Sequence, residues 1–186
     1  MKSIEIMVKE HENIRRMLKV LREVSYRIMT GGEYDLEDLP EMIDFVRNYA
    51  DRLHHGKEED ILFEAMNAQI EKLAKSGTIT GIYIEHDQGR LFIANLESGY
   101  KSFKEGDDRA RLDIIGNAIA YTDLLDRHIE KENTALYKFA ENMLPDEIKS
   151  KVDADCDQVE NETTISGTQA RYLNMLDIME DKYRPE

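Results

Sequence analysis

Apolar residues recur at spacings of three and four in four long stretches of the chain, and no segment alternates polar with apolar residues in the manner of a half-buried strand. That period lines side chains along one face of an α-helix, so such a chain buries its apolar surface by packing helix on helix. The first stretch runs from Ser3, an N-cap by residue type, to Met29, with Ile4, Val8, Ile14, Leu18 and Leu21 near one stripe and Gly31-Gly32 closing it. The second opens near Pro40 and carries Met42, Val46, Tyr49, Leu53, Ile61 and Ala65 toward Leu73, before Ser76-Gly77 interrupts the pattern. The third holds Ile79, Ile82, His86, Ile93 and Leu96 and ends at Gly99 or Gly106. The fourth spans Asp108 to Met143, with Ile114, Tyr121, Leu124, Leu125, Ala135, Leu136 and Phe139 expected to face inward.

Four long helices with short joints are the pattern of an all-α, up-down-up-down four-helix bundle, here over residues 1–144. Residues 145–186 read as a helical C-terminal extension. Pro145 opens a short acidic helix, and polar NETTISGT separates it from a last amphipathic segment carrying Tyr172, Leu173, Leu176 and Met179. That stripe needs cover, either on the bundle or on a partner.

With 186 residues the chain has room for one ordinary core, and a formal net charge of −14 disfavours nucleic acid, whose phosphates need lysine and arginine to replace their counterions. The same charge disfavours an anionic membrane surface and is compatible with a basic or electron-transfer protein partner. No run approaches the roughly 18 apolar residues of a membrane span, and MKSIEIMVKEHENIRR mixes charge into every turn, unlike a signal peptide. The single cysteine, Cys156, cannot form an intramolecular disulfide, and its neighbours Asp155 and Asp157 disfavour the thiolate. The cytoplasm is the expected location.

The five histidines, His11, His54, His55, His86 and His128, place at least one imidazole on each of the four helices. Residues four apart share a helix face, so His54 with Glu58, His55 with Glu59, and His128 with Glu132 can each approach a common ion. A single His-x-x-x-Glu is a common accident on a charged surface. Glu132, however, falls on the wheel of Tyr121, Leu125 and Leu136, where an unpaired carboxylate would cost several kcal/mol unless neutralised. Four helices aiming imidazoles at one interior, two of them adding carboxylates, point to metal. The donor set exceeds what one tetrahedral zinc accepts and is too nitrogen-rich for calcium or magnesium; it suits two iron or manganese ions. In the doubled stretch RLHHGKEEDILF, His54 and Glu58 share a stripe with Ala50, Ile61 and Ala65, whereas His55 and Glu59 stand over Asn48, Asp51 and Arg52. The inner pair is therefore His54 with Glu58, and His55 and Glu59 are placed at the rim.

The segments KEHENIRRML, HHGKEEDILF, IEHDQGR and RHIEKENTALY, in this order over about residues 8 to 140, resemble the hemerythrin-like family, in particular its His-His-Glu cation-binding members. The resemblance implies a four-helix bundle around an oxygen-bridged, non-haem di-iron centre, with manganese or zinc as substitutes. Its ligands would be His11, His54, Glu58, His86, His128 and Glu132. Oxygen-carrying members have a second histidine four residues from the one on the third helix, where this chain has Ile82 and Arg90; His55 is the candidate substitute for that imidazole. They also have a carboxylate five residues after the last histidine, where this chain has Asn133. The pattern is closer to hemerythrin-like proteins linked to stress responses and iron-sulfur-cluster repair. The expected function is binding or sensing of O2, NO, or redox or iron state. The alternatives are an enzyme that scavenges peroxide or NO or donates iron for repair, and a purely structural metal site. Gly89 could leave space beside the site, and Tyr83 and Tyr121 lie within reach of a bound oxygen species, although ordinary core packing explains all three.

Overall fold

The computed structural model describes residues 1–185 and contains no strand among them. Its helices are α1 (Lys2–Thr30), α2 (38–69), α3 (Glu71–Ser76), α4 (Thr78–Lys104), α5 (111–143), α6 (Asp146–Ser166) and α7 (Thr168–Lys182). Helices α1, α2, α4 and α5 form the four-helix bundle. Gly31, Gly77 and Gly167 each adopt positive φ at a helix end, the conformation glycine takes without steric cost. Gly99 does not stop α4, which runs on to Lys104; a Cβ there would lie 3.0 Å from the Asp113 Cβ, so this glycine lets α4 and α5 approach closely.

Two apolar clusters fill the bundle. One joins Ile14 to Ile28 of α1, Leu39 to Leu53 of α2, Ile93 and Leu96 of α4, and Ile114 to Ile129 of α5. The other joins Ile4 and Met7, Leu62 to Ile70, Ile79 and Ile82, and Leu136 to Leu144. The first turns of α1 and α4 thus meet the last turns of α2 and α5, which fixes the up-down-up-down order. Between the clusters every helix contributes a layer of buried His and Glu.

The expected inward face slips by one residue twice. Ile61 and Ala65 are only half buried, and Leu62, Phe63 and Met66 fill the core instead; Ala135 and Phe139 are exposed, and Tyr137 and Ala140 are buried. Both slips follow π-helical turns, Val46–His55 and Glu58–Phe63 in α2 and Glu132–Leu136 in α5. The Gly56 N–H, for example, donates to the carbonyl of Asp51, five residues back. A turn of that kind holds one more residue than an α-turn, so every later side chain lags the regular wheel by one position.

The C-terminal helices pack on the bundle. The NETTISGT stretch does not separate them as expected: α6 runs through it to Ser166 and breaks only at Gly167. Ser3 is not an N-cap but lies inside α1, and Asp153 of α6 accepts from its N–H (2.9 Å) and hydroxyl (2.5 Å), serving the free donors of that helix start from the tail. On α7, Tyr172, Leu176 and Met179 join the larger apolar cluster, where Tyr172 meets Phe45 edge-on at 6.0 Å. Cys156 of α6 is fully buried, and burial pushes its thiol up to about 12. No described helix is long and apolar enough to cross a membrane. Because Leu176 is fully buried, Leu176→Ala is expected to cost about 2–5 kcal/mol in the urea unfolding transition of the whole chain; a tail that merely rests on the surface would leave the transition unmoved.

Candidate metal centre

The layer between the apolar clusters holds His11 from α1, His54, His55 and Glu58 from α2, His86 from α4, and His128 and Glu132 from α5, all at most 5% exposed. All six residues singled out in the sequence as ligands therefore converge, and a seventh joins them. His55 is not at the rim. Its ring stacks on that of His86 with centroids 3.7 Å apart, and its Nε2 is buried without a hydrogen-bond partner. The cause is the π-turn through Val46–His55, which places successive side chains closer together around the helix axis than a regular wheel does.

Each imidazole gives its Nδ1 hydrogen to an oxygen. His11 donates to Asn133 Oδ1 (2.8 Å), His54 to Glu10 Oε2 (2.9 Å), His55 to Asp51 Oδ1 (3.2 Å), His86 to Glu59 Oε1 (2.6 Å) and His128 to Glu85 Oε2 (2.9 Å). Four of these bonds cross between helices, one at each of the four sides of the bundle. With Nδ1 carrying the hydrogen, a neutral ring presents its Nε2 lone pair to the interior. There the Nε2 atoms of His11 and His54 face each other at 2.8 Å and those of His86 and His128 at 3.1 Å. Opposed lone pairs at that distance repel unless a proton or a cation lies with them.

The carboxylates complete the demand for positive charge. Glu58 Oε2 stands 3.7 Å from His54 Nε2 and 3.6 Å from His86 Nε2, and Glu132 Oε2 stands 3.3 Å from His11 Nε2 and 3.1 Å from His128 Nε2. Glu58 Oε2 and both Glu132 oxygens are buried without a well-aligned hydrogen bond. The donor atoms form two groups, each within 4.8 Å: His11, His54, Glu58 and Glu132, and His55, Glu58, His86 and His128. Glu58 belongs to both. The orphaned oxygens, the facing imidazoles and the donor chemistry fit one or two divalent cations, with Glu58 placed to be shared.

Glu59 lies at the rim as expected, but other residues around the donors escaped the sequence reading. Glu10, Glu59, Glu85, Asp51 and Asn133 orient the rings, and cations hold the carboxylates in turn: Lys57 on Glu10, Lys131 on Glu85, and Arg90 at 2.7 Å from both Asp51 and Glu59. The signal for them was present as a half-repeat. Glu-His occurs at 10–11 and 85–86, and His-x-x-Lys-Glu-Glu at 54–59 has its counterpart in His-x-x-Lys-Glu-Asn at 128–133. The tyrosine that meets the donors is Tyr137, whose hydroxyl donates to Glu58 Oε1 at 2.5 Å and whose ring stacks on His11. Tyr83 instead donates to the Glu59 carbonyl (3.3 Å), while Tyr121 has a buried, unpartnered hydroxyl on the wall of a cleft of about 350 Å3 beside His55 and His86. Gly89 lines that cleft, as its small size suggested.

Burial and the facing Glu132 push the Glu58 carboxyl well above its ordinary value of 4.5. Burial also raises Glu132, but the adjoining His128 and His11 more than offset it and hold that group well below 4.5. Burial, together with neighbouring imidazolium charge, lowers His54 and His86. The charges within the layer thus oppose one another. Because the folded pKa of Glu58 lies above its unfolded value, folding takes up a proton and stability falls as pH rises above 4.5. Glu58→Gln should therefore stabilise the metal-free protein, by about 1–4 kcal/mol near pH 8 and by much less near pH 5, in urea titrations with chelator present. A loss of stability at both pH values would contradict this electrostatic account.

The hemerythrin HHE cation binding domain family matches residues 2–140 of the chain. Uncharacterized proteins from Mycobacterium bovis and from two strains of Mycobacterium tuberculosis are 22% identical over 134 residues, covering 72% of this chain and 51% of each relative. The chain thus spans about half the length of these relatives. No solved structure gives a significant match. A bundle whose four helices each bring histidine to one buried layer, matched by the family over most of its length, makes the chain a member of the hemerythrin HHE cation-binding family.

Proposed function

We propose that the chain is a non-haem di-iron protein that binds or senses O2, NO, or redox or iron state, and is not a bulk oxygen carrier. The observation that supports this most is the direction of the five Nε2 atoms, all turned inward by Nδ1 bonds to oxygen. Five imidazoles and two carboxylates satisfy two ions of iron type without closing every position around them. Iron would supply one-electron redox steps and open positions for a small ligand. His11, His54, Glu58 and Glu132 would hold one ion; His55, His86 and His128 would hold the other and share Glu58 with it. His55 takes the place of the imidazole that the carriers have on the third helix, where Arg90 here clamps Asp51 and Glu59 instead.

The protein's own groups define how a ligand would be treated. Two carboxylates balance the charge of the cations, and apolar clusters above and below keep water out, which strengthens the electrostatics inside. The cleft beside His55 and His86 offers an approach walled by Val46, Ile93 and Leu125, with the free hydroxyl of Tyr121 as a hydrogen-bond donor. Its volume exceeds what a diatomic needs, which favours as a second reading an enzyme that consumes a peroxide or NO.

Protein expressed with iron should contain about two iron ions per chain by metal analysis. His128→Ala should remove most of the iron, and His55→Ala should remove about half; unchanged stoichiometry in both variants would refute the ligand assignment. Air exposure of the anaerobic ferrous protein should oxidise it without restoration under argon. A band that argon reverses would instead mean carriage, and sustained turnover of added peroxide or NO would establish the enzyme.

A further inference from the structure

The half-repeat makes the two sides of the centre near-copies: Lys57 holds Glu10, which holds His54, and Lys131 holds Glu85, which holds His128. The two lysines differ in their surroundings. The Lys131 side chain is 51% exposed, whereas that of Lys57 is completely buried, capped by α6, and its ammonium is shared between Glu10 and Glu160 of that helix. Glu160 lies beyond the family-matched residues 2–140 and is itself only 18% exposed. A buried lysine without balancing carboxylates would be costly, and one held from two sides cannot follow rotamer changes as an exposed one can. A continuous buried line, Glu160–Lys57–Glu10–His54, therefore connects the C-terminal extension to a donor of the centre.

We propose that Lys57 and Glu160 are positioning residues through which α6 fixes His54 and adds a tie to the C-terminal extension on the His11/His54 side of the centre. Glu160 completes the charge around the ammonium, the ammonium fixes the Glu10 carboxylate, and Glu10 Oε2 keeps the hydrogen on His54 Nδ1, so that Nε2 faces inward. Undocking α6 would release this chain at its first link and loosen only one side. The consequence for metal rests on the di-iron reading; the consequence for the His54 ring does not.

The test uses the full chain carrying Glu160→Gln, which keeps shape and hydrogen-bonding capacity but removes the charge, and in parallel Lys57→Met and Lys131→Met. In the metal-free protein, imidazole 15N–1H correlations should show the His54 Nδ1–H of Glu160→Gln broadened by exchange, with that of His128 unchanged; Lys131→Met should give the opposite pattern. Fe(II) competition against a chelator should show one of two affinities weakened roughly ten-fold or more by Glu160→Gln. If Lys57→Met does not fold, Glu160→Gln alone decides. Wild-type His54 signals and wild-type Fe(II) affinity in Glu160→Gln would overturn the proposal. A wild-type chain that binds no Fe(II) while the His54 effect is present would overturn the metal reading and leave the positioning role standing.

Discussion

Five hydrogen bonds from imidazole Nδ1 to oxygen set the terms for the rest of the molecule. They turn every Nε2 into one buried layer beside two carboxylates, an arrangement that repels itself without a cation. Such a layer destabilises a bundle unless it is confined, and the structure confines it in two ways. Apolar clusters on both sides supply the burial energy that the polar layer cannot. Lys57, Lys131 and Arg90 then anchor the carboxylates that orient four of the five rings, so that each of these has one favourable orientation rather than several.

The bundle and the convergence of the six residues expected as donors were legible because both rest on helical periodicity, and periodicity survives as long as the winding is regular. It fails where α2 and α5 take π-turns, and the misplacements follow from that single cause. Phe139 and Ala135 were read as inward and are exposed, Leu62 and Met66 replace Ile61 and Ala65 in the core, and His55 moves from rim to interior. π-turns are frequent at functional sites, and here each one falls at a His-x-x-x-Glu pair, where the extra residue per turn changes which side chains can meet an ion. No local residue type announces such a turn. The orienting residues were hidden differently: Glu10 and Glu85 look like surface charges until the matching Glu-His pairs and His-x-x-Lys-Glu units are aligned with one another.

The helices of the extension and its stripe of Tyr172, Leu176 and Met179 were legible, but the way it docks was not. What holds it is a set of specific contacts that composition does not reveal: Asp153 on the start of α1, Glu160 on Lys57, Arg16 with Asp177 and Glu180, and Leu176 in the core. The extension therefore meets the bundle both in its apolar core and beside its polar layer. The inequivalence of Lys57 and Lys131 adds an asymmetry to the half-repeat, placed where it bears on one side of the centre.

The central claim is that this layer is a site for two metal ions, and anomalous diffraction at the iron edge from crystals grown with Fe(II) tests it most directly. The account predicts two peaks within the layer, one beside His11 and His54 and one beside His55, His86 and His128, with Glu58 between them. A layer without anomalous signal in iron-replete crystals, or a single ion that leaves the His55, His86 and His128 nitrogens uncoordinated, would contradict it.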